Sequence, residues 1–463
     1  MNINKKLVFF ASLLSLFLPF FLGFLSVNEI NLDLLKLEND VKIEKPIFKW
    51  KELFIKEVTV KSASGNDSLI LNSNHQRDKI LGDYFQKVEE YVNQNFGFRP
   101  LYIRFRNQLD FTFFGKAHAN SVIVGKENYL FEENYIKAYY GLDFIGQDSI
   151  NKKVAQIKYV QQRLEEKGKL FFIVLATGKA SFYPEYIPDK YGKKVGTNNY
   201  EAFTNAFNSN GINYIDFNNY FIKQKNKSEH VLYPKTGIHW SQYTMYKALD
   251  SMLLYIEKRK RIDLPDYKLQ QDALANSIPQ FSDDDIEKGL NLLTKLESLN
   301  MTYPKFEFMD TKGKTKPKVL SISDSFYWQM FNLGISHHVF ENGKFWFYNN
   351  AVYPDSEGNG PPVFAYNLNL FEELEKYDVV FVMATEANLY KIGFGFFELA
   401  ETTLKIGTGD YQKRVDEIIL TIKSTPSWLD QIKEKAKEKN ISLEEMIKED
   451  ALYVYKTEIL SKK

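Results

Sequence analysis

Five short apolar runs, Ser121–Val124, Leu170–Leu175, Asn213–Asp216, Val319–Ile322 and Val379–Met383, are rich in β-branched or aromatic residues. Each is too short for a helix and too apolar for a solvated turn, so each reads as a buried strand. Between them Lys152–Glu166, Tyr243–Glu257, Ser282–Leu299 and Phe326–Leu333 carry helical spacing. Ser282 with Asp285 three residues later has the spacing of a capping box and marks a helix start. Strands alternating with helices predict an α/β fold whose mostly parallel sheet is covered by helices on both faces. In such a sheet ligands gather at the carboxyl ends of the strands, and the residues just after each run are where chemistry belongs.

The 463 residues allow two or three folded units. Lys5 and Lys6 precede an uncharged run from Leu7 to Val27, which matches the ~20 residues a membrane-spanning helix needs. The paired lysines place the N-terminus in the cytoplasm and the rest of the chain beyond the membrane. No clear cleavage site precedes Asn28, which favours an uncleaved signal anchor over a signal peptide. The expected organisation is therefore an anchor or signal peptide over 1–27 and a stalk over 28–77. An α/β domain follows over 78–408, and a helical tail over 409–463 carries Trp428, Leu429, Ile432, Leu443, Met446 and Ile447. The expected setting is the inner membrane, single-pass, with the main domain in the periplasm.

Lys and Arg number 60 against 59 Asp and Glu, for a net charge of +1. No chain-wide positive excess is available to neutralise phosphates, which disfavours a nucleic-acid binder. The absence of cysteine removes disulfides, thiolate metal sites and cysteine nucleophiles together. No metal or cofactor is expected. The 29 Tyr and 38 Phe would suit sugar-stacking surfaces, but an AT-rich genome supplying Phe, Tyr, Lys and Asn is the favoured account of them.

Val319-Leu320-Ser321-Ile322 runs into Ser323-Asp324-Ser325 and then into a helix. A serine at a helix N-terminus meets partial positive charge and free N–H groups, which favour an alkoxide and a tetrahedral oxyanion. Ser325 is the natural nucleophile, while Ser323 or Asp324 could simply cap the helix. Of six histidines, His239 alone sits in a turn-rich stretch, Tyr233 to Ser241, that leads into a helix. It is the candidate general base. Asn388, in the loop after Val379–Met383, could complete an oxyanion hole. A fourth loop holds Thr177, Gly178 and Lys179 ahead of Tyr183-Pro184-Glu185.

Asp324-Ser325 after a strand resembles the Gly-Asp-Ser block of SGNH hydrolases, Gly237-Ile238-His239 their Asp-Gly-x-His block, and Asn388 their Gly-x-Asn block. The histidine precedes the serine, reversing the usual order. That order, together with His239-Trp240, Lys179, Phe96-Gly97-Phe98-Arg99 and Val124-Gly125-Lys126 before Tyr129-Leu130-Phe131, is similar to the alginate O-acetyltransferase family of the AlgX/AlgJ type. The resemblance implies an exported enzyme that moves acetyl onto hydroxyls of an exopolysaccharide, with Ser325 as nucleophile and His239 as base. It also implies a membrane-bound O-acyltransferase partner that supplies acetyl. The chain departs from the family at the acid, since Gly237 and Thr236 stand where a carboxylate is expected. Asp216 or Glu386 could orient His239 instead, with Asp324 a further supporting carboxylate, or a backbone carbonyl could serve a slower dyad. The alternative is a catalytically weakened glycan-binding protein. If the acid is absent and the backbone at Gly237 needs no positive φ, Gly237→Asp is expected to raise activity.

Overall fold

The structure, a computed structural model, describes residue 86 and residues 99–461 apart from 195, 271–274 and 355–361. The expected anchor and stalk lie outside the described residues. Among the described residues no helix is long and apolar enough to cross a membrane.

Two compact units divide the chain. Among the described residues, one takes 86 and 99–113 with Asn291–Leu293, and the other takes the rest. In the first, the helix Arg99–Phe114 holds the short return segment, with Arg104 Nε donating to the Leu292 carbonyl at 2.8 Å.

The strands of the second unit are, in order, β1 Val122–Val124, β2 Leu130–Glu132, β3 Leu170–Ala176, β4 Tyr214–Asp216, β5 Tyr267–Gln270, β6 Ala275–Asn276, β7 Met301–Thr302, β8 Lys305–Phe308, β9 Val319–Ser323, β10 Lys344–Phe347, β11 Ala351–Tyr353 and β12 Val379–Thr385. Six of them form the main sheet in the order β11-β10-β9-β12-β3-β4. Every pair is parallel except β10 with β11, which is antiparallel. The sheet is thus mixed: a short turn at Tyr348–Asn350 can only return the chain antiparallel, whereas each parallel step needs a longer crossover.

Alternate residues of the strands serve two cores. Phe171, Ile173 and Leu175 of β3, Leu320 and Ile322 of β9, and Val380, Val382 and Ala384 of β12 pack with Ile150, Val154, Ile157, Val160 and Leu164. The last five recur at three- and four-residue steps along the helix Gln147–Glu166, the spacing of a single buried stripe. On the opposite face Phe172 meets Phe381 at 5.4 Å between ring centres and Tyr255 of the helix Gln242–Lys260 at 5.0 Å. Fully burying each such side chain contributes about 1.5–3 kcal/mol.

Two expectations are corrected and two strands are added. Ser121–Val124 does not enter the main sheet: β1 pairs only with β2, as an antiparallel hairpin. The strands β10 and β11 went unread because Phe345 and Trp346 are the only fully buried pair of their run. The expected helix over Ser282–Leu299 shrinks to Asp285–Leu290, and the capping box does not form. Ser282 Oγ accepts instead from Gln329 Nε2 at 2.9 Å, and the Asp285 carboxylate is spent elsewhere, as described below.

The C-terminal region is three helices, Phe396–Ser424, Pro426–Lys439 and Leu443–Ser461. The first begins in the sheet core, where Phe396, Phe397 and Ala400 pack. It continues through position 409 and contributes Val415, Ile418 and Ile422 to a second, separate core with Ile432, Met446, Ile447 and Leu452.

Candidate active site

Adjacent parallel strands end at one edge, so the loops after β10, β9, β12, β3 and β4 form one rim. β9 ends in Ser323, Asp324 follows in extended conformation, and Ser325 opens a helical turn, Ser325–Tyr327. Asp324 is wholly buried. Its Oδ1 accepts from the Phe326 N–H at 3.2 Å, and its Oδ2 accepts from the Thr385 N–H at 2.9 Å, the Thr385 hydroxyl at 3.0 Å and Asn388 Nδ2 at 2.9 Å. The carboxylate therefore ties the serine turn to the loop after β12. Asn388 Nδ2 also donates to Thr385 Oγ1 at 3.3 Å. Those two acceptors lie on one side of the amide, and Asn388 also lines the cleft beside Ser325.

His239 lies two residues before the N-cap of Gln242–Lys260, where Ser241 Oγ accepts from the Thr244 N–H at 3.1 Å. Its Nε2 is 2.9 Å from Ser325 Oγ, so the two residues singled out from the sequence meet at the carboxyl edge of the sheet. Its Nδ1 is 2.6 Å from Asp285 Oδ2. The other carboxylate oxygen, Oδ1, accepts from the Ile238 and Ile286 N–H groups, each at 2.8 Å.

Asp285 thus places a carboxylate against the imidazole, where Gly237 and Thr236 supply none. It comes from residues 261–318, the excursion between the helix Gln242–Lys260 and β9, and stands beside His239 in space though not in sequence. Neither Asp216 nor Glu386 reaches the imidazole. Asp216 accepts from the Tyr200 hydroxyl at 2.8 Å and caps the helix Phe217–Gln224 through the Asn219 N–H at 2.9 Å. Glu386 is buried beside Gly178 and accepts from Asn218 Nδ2 at 3.1 Å. Burial holds its carboxyl up to about 7. The one sequence signal for Asp285 was its pairing with Ser282, and that pattern pointed to a helix cap.

The histidine loop is held from beneath. Lys179, with no exposed surface, donates from Nζ to the Lys235 carbonyl at 2.9 Å and to the Gly237 carbonyl. Burial lowers its ammonium to about 7, and the charge of Asp285 opposes that shift. Tyr183 donates to the Tyr233 carbonyl at 3.0 Å, and Tyr233 returns a hydroxyl to the Thr177 carbonyl. A Cβ at Gly237 would lie 2.6 Å from the Ser282 carbonyl oxygen and 2.7 Å from that of Asp283. The position is glycine because the acid-bearing segment passes directly over it, which overturns the expectation for Gly237→Asp.

Above Ser325 opens a cleft of about 530 Å³ whose wall includes Glu132, Asn134, His239, Tyr348 and Lys391. Tyr348, just past β10, faces the Ser325 and Asn388 side chains, and burial pushes its phenol up to about 12. The residue was missed with its strand. An adjoining groove of about 430 Å³ shares Tyr348, Tyr390 and Lys391 with the cleft and adds Phe394. The Lys391 ammonium lies 5.3 Å from the ring centres of Tyr348 and Tyr390 and 5.9 Å from that of Phe394. Among the described residues no group of three or more His, Cys, Asp or Glu is placed to hold a metal ion.

Residues 122–276 match the family described as an SGNH hydrolase-like domain of acetyltransferase AlgX. The match takes in His239 and ends before Asp285 and Ser325. Among solved structures, the chain is similar to the O-acetyltransferase domain of Pseudomonas putida AlgJ, at 15% identity and a TM-score of 0.39, over 61% of this chain and 99% of that one. It is also similar to Pseudomonas aeruginosa AlgX, at 12% identity and 0.41, over 62% and 68%. A third likeness is to Bacillus cereus PatB1, at 11% and 0.34, over 53% and 91%. No curated protein sequence matches. The AlgX/AlgJ-type resemblance read from the motifs is thus found again in the family match.

Proposed function

We propose that this chain, AlgX-like over residues 122–276, is a serine O-acetyltransferase that modifies hydroxyls of an exported polysaccharide. The observation that carries the reading is the unbroken chain of contacts from Asp285 through His239 to Ser325 at the floor of an open cleft. Ser325 Oγ attacks the acetyl carbonyl of the donor while His239 Nε2 takes its proton. Asp285, bonded to the Nδ1 side, keeps Nε2 as the basic nitrogen and stabilises the imidazolium that forms.

The oxyanion develops beside the helical turn that Ser325 opens, where the Ser325 N–H, the Tyr348 hydroxyl and the Asn388 amide are the candidate donors. A phenol that keeps its proton to about 12 donates throughout the working range. His239 returns the proton to the leaving group. It then takes one from the acceptor hydroxyl, whose oxygen attacks the acetyl-serine, and Ser325 recovers its proton as the ester departs.

The acceptor is read as a chain because the cleft runs on into the groove walled by Tyr348, Tyr390 and Phe394, faces on which sugar rings stack. Anchoring through Leu7–Val27, export of the main domain and supply of acetyl by a membrane-bound O-acyltransferase belong to the same proposal. The glycan-binding alternative rests on a missing acid and on the aromatic load, and the contact of Asp285 with His239 speaks against the first of these. The test is acetyl-ester turnover by the full-length protein. Ser325-dependent release with transfer to an oligosaccharide supports the reading, and a rate unchanged in Ser325→Ala overturns it.

A further inference from the structure

Glu132 is a carboxylate in the cleft that the acyl-transfer steps leave unused. It is the last residue of β2, paired across the hairpin with Val122. Its backbone is extended, at φ −87° and ψ 137°, and it occupies the N-cap position of the helix Glu133–Tyr140 without its side chain capping that helix. Leu130 and Phe131 before it are fully buried, so the hairpin is anchored and the carboxylate is delivered to the cleft from a rigid element. Val122 and Asn134 line the same wall.

Glu132 lies within the electrostatic reach of both Asp285 and His239, and its partner there is the Asn134 amide. Burial, and then the charge of Asp285, hold its carboxyl above the usual range. No lysine or arginine among the described residues forms an ion pair with it. It makes no hydrogen bond to His239 or Ser325, so it is not the base. A half-buried carboxylate held beside the base, with acceptor capacity to spare, is costly unless something that binds there donates to it.

The acetyl-serine is attacked by whichever hydroxyl His239 deprotonates, and water competes with the acceptor for that position. Water presents one oxygen. A sugar presents a second hydroxyl on the neighbouring carbon, which can reach a carboxylate set apart from the base.

We propose that Glu132 is an acceptor-orienting residue, taking a hydrogen bond from the hydroxyl next to the one being acetylated, so that the site selects a vicinal diol over water and over isolated alcohols. The inference rests on the acyl-enzyme reading above. The bonds made and broken are unchanged by it: the attacking oxygen gains acetyl, Ser325 Oγ loses it, and the proton passes through His239. A hydrogen bond from hydroxyl to carboxylate accounts for about a tenfold preference.

The experiment supplies the full-length protein with p-nitrophenyl acetate and equal concentrations of ethylene glycol and 2-methoxyethanol, and measures the two esters and acetate. The ratio of esters, corrected for the two hydroxyls of the glycol, is internal to each variant and independent of its active fraction. The wild type is expected to favour the glycol about tenfold. Glu132→Met brings the ratio close to one, and Glu132→Gln, which keeps a neutral acceptor oxygen, falls between. A Glu132→Met ratio equal to the wild type's overturns the inference, as does a wild type that shows no glycol preference or yields acetate alone. Those results with Ser325-dependent p-nitrophenolate release intact overturn this inference only. Loss of Ser325 dependence itself overturns the acyl-enzyme reading as well.

Discussion

Asp285 uses both oxygens of its carboxylate, one on the His239 imidazole and one on two backbone N–H groups, so its position is fixed from three directions. Asp285→Asn keeps the shape and loses the charge that holds the imidazolium, and kcat is expected to fall by about 10²–10⁴. Ser325→Ala and His239→Ala are expected to lose about 10³ or more, and the double variant little beyond that, because the residues act as a unit. Acetyl-ester kinetics on the set check this. A triad loss that is additive in free energy would count against a shared mechanism. At Gly237 the expected outcome is structural: Gly237→Ala pushes a Cβ into two backbone carbonyls and costs about 1–3 kcal/mol, and Gly237→Asp costs at least as much. Thermal melting of both variants reads the effect, and a Gly237→Asp protein with wild-type stability and higher activity would refute it. His239 and Ser325 were legible because each stands at a strand or helix end in a recognisable block. Asp285 was not, because a carboxylate that serves a distant imidazole leaves no local spacing.

The loops at the carboxyl ends of β9 and β12 are one element in mechanical terms, joined by the three hydrogen bonds that Asp324 accepts from Thr385 and Asn388. Asp324→Ala takes the acceptor from the buried Thr385 N–H and hydroxyl and leaves Asn388 Nδ2 only its longer bond to Thr385 Oγ1, and the expected loss is about 3 kcal/mol or more. Urea unfolding measures it, and a midpoint shift of less than a few tenths of a molar would contradict the role assigned here. The continuous apolar strands β3, β9 and β12 were readable because both faces of each are buried and no polar alternation breaks them. The edge pair β10 and β11 was hidden by exposed and polar neighbours, and the helix over 282–299 was overcalled because its apolar residues pack singly. The tertiary contact of Asp285 with His239 outweighs the local preference for a capped helix there.

At the scale of the whole molecule, the last helix docks on the turn Ala365–Asn367, between β11 and β12, through Lys456, whose Nζ donates to the Ala365 carbonyl at 3.0 Å. Burial lowers this lysine to about 7 from 10.5. Between those values the unfolded chain binds a proton that the folded chain does not, so this group's destabilising contribution is full below pH 7 and disappears as pH rises toward 10.5. Lys456→Met is therefore expected to raise the melting temperature most at and below pH 7, with the gain shrinking through pH 8 to 10. A gain independent of pH would show that packing, and not charge, is responsible. The α/β alternation made this architecture legible in outline, while the long helix from Phe396 into the second core was not, because position 409 carries no break in its backbone. The stretch 261–318 stands outside the main sheet and yet brings the acid to the histidine. The charge that tunes the base is thus carried by a stretch whose length and sequence the strand order of the sheet does not constrain.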